Sequence, residues 1–268
     1  MPLKKLQLKP GVNRENTRYT TEGGWYESDK VRFRQGMPEK IGGWERISAN
    51  TFLGVCRSLW NWITLGGQNL ISVGTTLKYY IERGGNYYDI TPIRLTTVAG
   101  AVTFAARIVF PPSSTLTVTN VSHGANAGDF VTFSGAVSLG GTITAAVLNQ
   151  EYEISTVLTD DTYTVAAKNT SGVAVTAGAA DTGNGGAAVI GTYQINTGSA
   201  TAVPFSGWGS GGWGLGTWGY SNASSSAIRL WSQSNYGEDL VFAFRGGPIF
   251  YWDASSGTSV RGKTIDTT

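Results

Sequence analysis

The sequence predicts an all-β protein, a β-propeller-like domain with a small β-barrel or β-sandwich domain inserted into it. Three observations predict this fold. Apolar residues alternate with period two in many short segments, glycine occurs 37 times in 268 residues, and aromatic residues become rare in the middle of the chain. Short alternating segments bounded by Gly, Asn or Asp turns are typical of β-strands.

Candidate strands follow one another along the whole chain. They include NLISVG, TLKYYIE, TLTVTNV, DFVTFSG, EYEIST, DTYTVAA, DLVFAF and PIFYW. The best helix candidate, residues 95–112, contains Gly100 and ends in Pro111 and Pro112, so extended structure is at least as good an interpretation. The turn from Thr159 to Thr162 predicts a hairpin in the middle region.

Composition divides the chain into four parts. Residues 1–20 are polar and contain two prolines, which is typical of an extended arm that becomes ordered on a neighbour. Residues 21–95 and 199–268 are rich in aromatic residues, whereas residues 96–198 are rich in Thr, Ala, Val and Gly. We interpret 96–198 as a small β-domain inserted between the two parts of a propeller-like domain.

Two segments with similar sequence patterns favour a propeller. Residues 69–91 and 239–259 share a strand that opens with Asn-Leu or Asp-Leu, a glycine-containing turn, and a strand with paired aromatic residues. Repeated hairpins of this kind are typical of propeller blades.

Charge and cysteine content exclude some classes of protein. The net charge is +2, and acidic residues interleave with the basic cluster at residues 30–46, so no nucleic-acid-binding track is predicted. The single cysteine, Cys56, excludes an intrachain disulfide and is expected to be a small buried apolar residue. No apolar run is long enough for a membrane span, and no membrane partner is expected.

No catalytic constellation emerges from the sequence. The only histidine, His123, is expected to bond the local backbone of a turn, because the residues around it offer no metal-ligand spacing. Glu151 and Glu153 share one face of a strand, where a solvated edge is expected, and Glu238-Asp239 point to opposite faces. We expect no enzymatic activity, no cofactor and no metal.

Aromatic residues leave two interpretations open. They either fill blade interfaces and subunit contacts or stack on sugars, which would indicate a carbohydrate-binding receptor-recognition protein. The segment SGWGSGGWGLGTWGYS, 206–221, places Trp208, Trp213 and Trp218 five residues apart among glycines. We predict that these three tryptophans are buried against a propeller face or a neighbouring subunit. A cellular propeller scaffold is a third interpretation, but the periodic Trp-Asp or kelch-type motifs it needs are missing.

Several linked motifs resemble one family of proteins. Residues 8–48 read LKPGVNRENTRYTTEGGWYESDKVRFRQGMPEKIGGWERIS, and TFLGVCRSLWNW, NLISVGTTLKYYI, YDITPIR, the Trp-Gly repeat and IRLWSQSNYGEDLVF…GGPIFYWDASSG follow in order. This order resembles the tail tubular protein B-like hub or nozzle proteins of short-tailed bacteriophages. The segments TVTNVSHGANAGDFVTFSGA and YEI…DTYTV resemble a small β-module that recurs in phage tail proteins.

The resemblance implies a structural role in the virion tail. It implies a homo-oligomer, a hexameric ring around the DNA-exit channel, which joins the portal or adaptor protein to tail fibres or tail-tip proteins. Phage DNA would pass through without sequence-specific binding, and assembly would take place in the cytoplasm of the bacterial host. Members of the family run well past the point where this sequence stops, so the resemblance implies an incomplete propeller in this chain.

Four arginines are candidate interaction residues. Arginine suits bidentate contacts with carboxylates, so we predict contacts with neighbouring subunits or the adaptor, with ion pairs inside the blade as the equal alternative. These residues are Arg18, Arg32, Arg34 and Arg46.

Overall fold

A computed structural model describes residues 9–15, 17–20, 23–43, 45–46, 48–107, 113–198 and 230–265. Within these ranges the chain forms seventeen strands, one four-residue helix and one 3-10 turn, and all strand pairings in the sheets are antiparallel. The predicted all-β class is therefore confirmed. The chain divides into two compact units, Met1–Ala49 and Asn50–Thr268. No described helix is long and apolar enough to cross a membrane.

The first unit is built around a single hairpin. Its strands are β1 (Val31–Arg34) and β2 (Met37–Lys40). Gln35 and Gly36 form the two-residue turn, and both have positive φ, 50° and 81°. Such a turn matches the twist of a hairpin, and glycine adopts its second position without strain.

The first of three sheets in the second unit is a four-stranded meander, called here the first meander. Its strands pair in sequence order. They are β3 (Cys56–Ile63), β4 (Asn69–Thr75), β5 (Tyr79–Arg83) and β6 (Asn86–Asp89).

The seven-stranded sheet follows directly in the chain. Its strands are β7 (Ile93–Thr96), β8 (Thr103–Ala106), β9 (Thr115–Thr119), β10 (Phe130–Ser134), β11 (Glu151–Thr159), β12 (Thr162–Ala166) and β13 (Ile190–Gln194), and helix α1 (Ala145–Leu148) precedes β11. The strand order is β7-β13-β10-β11-β12-β9-β8. The edge strands β7 and β8 are consecutive in sequence, which makes the sheet curl back on itself, although it stays open.

One hydrophobic core fills the curled sheet. It includes Val102, Leu116, Val131, Val165 and Val189, none of which is exposed. The predicted hairpin turn is confirmed, because Thr159 pairs with Thr162 between β11 and β12. In residues 95–107, the described part of the helix candidate, the chain is extended or turned, which confirms the extended interpretation there.

The third sheet is a second four-stranded meander. Its strands are β14 (Trp231–Tyr236), β15 (Asp239–Phe244), β16 (Ile249–Trp252) and β17 (Lys263–Thr264), and a 3-10 turn, Ala254–Ser256, lies between the last two. These strands also pair in sequence order. The similar hairpins predicted in residues 69–91 and 239–259 thus form the second and third strands of each meander.

The two meanders pack face to face around a second hydrophobic core. Its residues come from the segments that precede and follow the seven-stranded sheet in sequence. Trp62, Leu70 and Tyr79 belong to the first meander, and Phe242 and Trp252 belong to the second. The four-part division predicted from composition, at residues 20, 95 and 198, stays a prediction.

Candidate functional site: an exposed surface and two charged clusters

Arg18 and Arg32 form ion pairs within the first unit. Arg18 lies 3.7 Å from Glu27 and 5.0 Å from the centroid of the Tyr26 ring. Arg32 lies 3.1 Å from Glu39, directly opposite it on the hairpin. All four charged side chains are more than 45% exposed. These contacts match the alternative of ion pairs inside the protein, and the role in subunit contacts stays a prediction.

The remaining candidates are not brought together. Arg34 is exposed at the end of β1, and Arg46 is exposed beyond the hairpin. The three tryptophans at 208, 213 and 218 lie outside the described residues.

Strand β3 presents an apolar surface to solvent. Trp60 and Trp62 donate their indole N–H groups to Asn235 and to the Glu238 carbonyl oxygen, so this face of β3 packs on the second meander. Side chains alternate along a strand, and Leu59 and Ile63 therefore point to the opposite face. We call Leu59, Ile63 and the adjoining Leu65, exposed by 63%, 66% and 94%, the β3 surface.

An exposed apolar surface on a strand at the edge of its sheet is unusual in a protein that stays monomeric. Charged residues and bulges usually protect such edges from association. Arg57 and a register irregularity between Cys56 and Ser58 occur at the start of β3, whereas the exposed residues Leu59 and Ile63 further along flank the uncharged Asn61. The β3 surface is thus the candidate contact surface of the second unit.

A cluster of four charges joins the three sheets of the second unit. Its centre is Lys78, in the turn between β4 and β5, whose side chain is only 3% exposed. The Lys78 Nζ atom lies 2.8 Å from Asp89 Oδ2 on β6 and 2.6 Å from Glu151 Oε2 on β11. Arg261, between β16 and β17, lies 3.1 Å from Asp89 Oδ1 and 3.8 Å from Glu151 Oε1. Each carboxylate therefore contacts both cations.

Neutral groups complete this charged cluster. Gln194 donates to Glu151 Oε1 at 2.5 Å, and Lys78 lies 4.5 Å from the centroid of the Phe130 ring. Arg261 also donates to the Thr91 carbonyl oxygen at 3.1 Å.

The charge balance determines the chemistry of the cluster. Burial alone would raise the pKa of the Asp89 carboxyl, but the charges of Lys78 and Arg261 hold that pKa below its usual value. A glycosidase needs one carboxyl with a raised pKa as its acid. Asp89 and Glu151 are neutralised by two cations, so this cluster is suited to holding sheets together instead of transferring protons.

Asp181 is the centre of a second cluster, which lies in loops of the seven-stranded sheet. Its carboxylate accepts hydrogen bonds from the backbone N–H groups of Gly141, Thr142, Ile143 and Gly178 at 2.8–3.1 Å, and from the Thr142 hydroxyl at 2.8 Å. Burial opposes ionisation, but the hydrogen bonds lower the pKa of Asp181. One side chain therefore fixes two loops that lie about 40 residues apart in sequence.

The single histidine has the structural role that the sequence predicts. His123 is buried, its Nδ1 atom accepts a hydrogen bond from the Ala125 N–H group at 3.0 Å, and its Nε2 atom lies 3.3 Å from the Thr159 carbonyl oxygen. Among the described residues, no three His, Cys, Asp or Glu side chains are placed to hold a metal ion. Cys56 is half-buried, and burial raises the pKa of its thiol.

Sequence reasoning missed the residues that hold the clusters together. Glu151 was expected at a solvated edge, but it is about one-third exposed and contacts two cations, so that expectation was wrong. Its neighbour on the same face, Glu153, is exposed as expected. The one available signal was the position of Lys78 among apolar and aromatic residues in TTLKYYI, since a buried lysine needs a partner.

The fold and these sites define an all-β protein whose charged clusters fix sheets and loops in place. No family model matches the sequence, and no curated protein matches it. Among solved structures, the phage phi92 endosialidase is similar with 17% sequence identity and a TM-score of 0.23, and the match covers 86% of this chain and 32% of that chain. The chain thus spans about a third of the length of that protein, and a TM-score this low supports no argument about function.

Proposed function

We propose that this chain is a structural subunit of a bacteriophage tail, in the hub or nozzle that surrounds the DNA-exit channel. The proposal starts from the motifs in residues 8–94 and 228–257, which resemble tail hub proteins. In this role the protein joins the portal or adaptor to fibres or the tail tip, and it resides in the virion.

The observation that carries the proposal is the packing of the two meanders. Two four-stranded antiparallel sheets, each in sequence order, pack face to face around aromatic side chains. Adjacent blades of a β-propeller have this arrangement. The two meanders come from the two segments that carry the resemblance, which supports a propeller-like hub made from them.

The β3 surface supports assembly with further copies of the chain. Leu59 and Ile63 point to the face of β3 opposite the one that packs on the second meander, and the adjoining Leu65 side chain is exposed. A subunit of a ring needs contact surfaces that bury apolar side chains between copies. We propose that the β3 surface forms part of this contact.

Microscopy of intact virions tests the location. We expect antibodies against the chain to label the tail, and the averaged density to show a ring of identical subunits around the channel. Purified virions that lack the chain would overturn the proposal. Specific glycan binding or depolymerisation by the isolated chain would favour the receptor-recognition alternative.

Light scattering on the full chain tests the contact surface. The double variant Leu59→Glu, Ile63→Glu places charges on the β3 surface and is expected to shift the oligomer towards monomer. Leu158→Glu is the matched control, because Leu158 is a comparably exposed leucine on the seven-stranded sheet. An unchanged oligomer mass in the double variant would exclude the β3 surface as the contact.

A further inference from the structure

The second unit contains two separate hydrophobic cores. One lies inside the curled seven-stranded sheet, and the other lies between the two meanders. Of the described residues from β7 to Thr197, only Ile195 belongs to the meander core. The seven-stranded sheet and the paired meanders are therefore two bodies that fold around their own apolar residues.

The chain crosses between these bodies twice, and the two connections lie side by side where they leave the seven-stranded sheet. The chain enters the seven-stranded sheet after Thr91 and leaves it after Gln194, and the two connections lie together because Ile195 N–H donates to the Pro92 carbonyl oxygen at 3.0 Å. Thr197 donates to the Thr76 carbonyl oxygen at 2.5 Å. A pair of adjacent connections is the geometry of a hinge, since rotation about an axis through both of them needs little change elsewhere in the chain.

The charged cluster supplies the ion pairs between the bodies. Lys78 and Arg261 belong to the paired meanders, whereas Glu151 belongs to the seven-stranded sheet. Lys78 also lies over the ring of Phe130 on the seven-stranded sheet. Small polar interfaces between bodies of one chain permit relative motion unless specific contacts prevent it.

Glu151 is the member of the cluster that crosses between the bodies. Asp89 contacts Lys78 and Arg261 from within the paired meanders, so each cation keeps one carboxylate contact without Glu151. Loss of Glu151 would therefore remove the ion pairs between the bodies and leave one carboxylate for two cations within the meanders. Removal of Lys78 would be less selective, because it would also break an ion pair inside the meanders.

We propose that Glu151 is a latch that fixes the orientation of the seven-stranded sheet on the paired meanders. With the latch closed, Glu151 binds Lys78 and Arg261 and the second unit has one shape. With the latch open, the seven-stranded sheet turns about the adjacent connections while both hydrophobic cores stay intact. The structure thereby separates the orientation of the two bodies from their folding.

Distance measurements between spin labels on the full chain test the latch. Labels at Ser171→Cys and Ser234→Cys, in a Cys56→Ser background, report on the two bodies, because both serines are exposed. We expect one narrow distance distribution in the parent protein. Glu151→Gln keeps the shape of the side chain and removes its charge, and is expected to add further distances. Arg261→Gln, which removes the weaker of the two cation contacts, is expected to do so to a smaller extent.

Glu153→Gln is the matched control, because Glu153 lies two residues further along the same face of β11 and is exposed. It is expected to keep the narrow distribution. Hydrogen exchange of amides in β9 and β5 checks that both cores remain folded in every variant. An unchanged distribution in both Glu151→Gln and Arg261→Gln would overturn the proposal. Loss of exchange protection in β9 of Glu151→Gln would also overturn it, since Glu151 would then be needed for folding of the sheet.

Discussion

The ring of Tyr79 stacks on the ring of Phe242, with 4.2 Å between their centroids and 15° between their planes. One ring belongs to the first meander and the other to the second. This contact joins two parts of the chain that are separated by the whole seven-stranded sheet, and Trp231 meets the Tyr79 ring edge-on at 4.6 Å. The core between the meanders is therefore organised by aromatic rings from both of them.

Phe242→Ala is expected to destabilise the second unit strongly. Phe242 is 1% exposed and contacts the rings of Tyr79, Trp231 and Phe250, so its removal leaves a cavity that rigid neighbours cannot fill. Substitutions of buried phenylalanine by alanine cost about 3–5 kcal/mol. Urea unfolding followed by tryptophan fluorescence measures the loss.

Val241→Ala provides the control for this substitution. Val241 is the preceding residue of the same strand, points to the other face and is only half-buried. It is expected to lower the free energy of unfolding much less. Equal losses for the two variants would contradict the assignment of the aromatic core to one face of β15.

Gly74→Ala is expected to push the meanders apart. A Cβ atom at position 74 would lie 2.6 Å from the Trp231 ring and 2.4 Å from the Ser58 hydroxyl oxygen. The indole is held by a hydrogen bond of 2.8 Å to the Thr75 carbonyl oxygen and has no room to shift. Overpacking of this kind costs about 1–3 kcal/mol of unfolding free energy, which thermal unfolding detects.

Gly66→Ala is the matched glycine control. Gly66 is exposed, its backbone conformation is ordinary, and the nearest side-chain atom to an added Cβ atom would be 3.8 Å away. We expect a change within about 0.5 kcal/mol. If Gly66→Ala lowered the free energy of unfolding as much as Gly74→Ala, the close approach of the two meanders at Gly74 would not explain the effect.

Local patterns accounted for the strands and some turns. The alternation in TLTVTNV, DFVTFSG and DTYTVAA is realised in β9, β10 and β12, and the hairpin turn at Thr159 depends only on neighbouring residues. The same applies to the bond between His123 and the Ala125 N–H group. Such features are set by residues two to four positions apart, which a sequence pattern reveals.

Contacts between segments that are distant in sequence could not be predicted from such local patterns. Lys78 and Glu151 are 73 residues apart, and the pairing depends on which edge of β11 meets the turn between β4 and β5. Period-two alternation places Glu151 and Glu153 on one face but does not say that only Glu151 meets another sheet. The same limit applies to Asp181, whose partners Gly141, Thr142 and Ile143 lie in a loop 38–40 residues earlier.

Arg32→Ala is expected to leave the free energy of unfolding almost unchanged. Arg32 and Glu39 are both about half exposed, and ion pairs in water contribute less than about 1 kcal/mol. Thermal unfolding and light scattering of the same variant separate the two roles of this arginine. A smaller oligomer with unchanged unfolding would favour the predicted subunit contact, and unchanged values in both would favour a solvated pair.

Asp181→Asn is expected to destabilise the seven-stranded sheet in a pH-dependent way. The pKa of Asp181 is lower in the folded protein than its ordinary value of about 4. The carboxylate therefore stabilises the fold above pH of about 4, and this stabilisation is lost as the pH falls through the lower, folded-state pKa. The asparagine variant lacks it at every pH, because the amide N–H₂ group would face backbone N–H donors. Hydrogen bonds to a charged group contribute about 1.5–3 kcal/mol.

The measurement is urea unfolding of both proteins between neutral and acid pH. The difference between parent and Asp181→Asn is expected to be largest near neutrality and to shrink in acid. Asp89 also has a lowered pKa, so both the parent protein and the variant lose stability in acid for that reason. Only the difference between their free energies of unfolding reports on Asp181. A difference that stays constant with pH would mean that the shape of residue 181 matters and its charge does not. A difference that grows in acid would contradict the direction of the pKa shift.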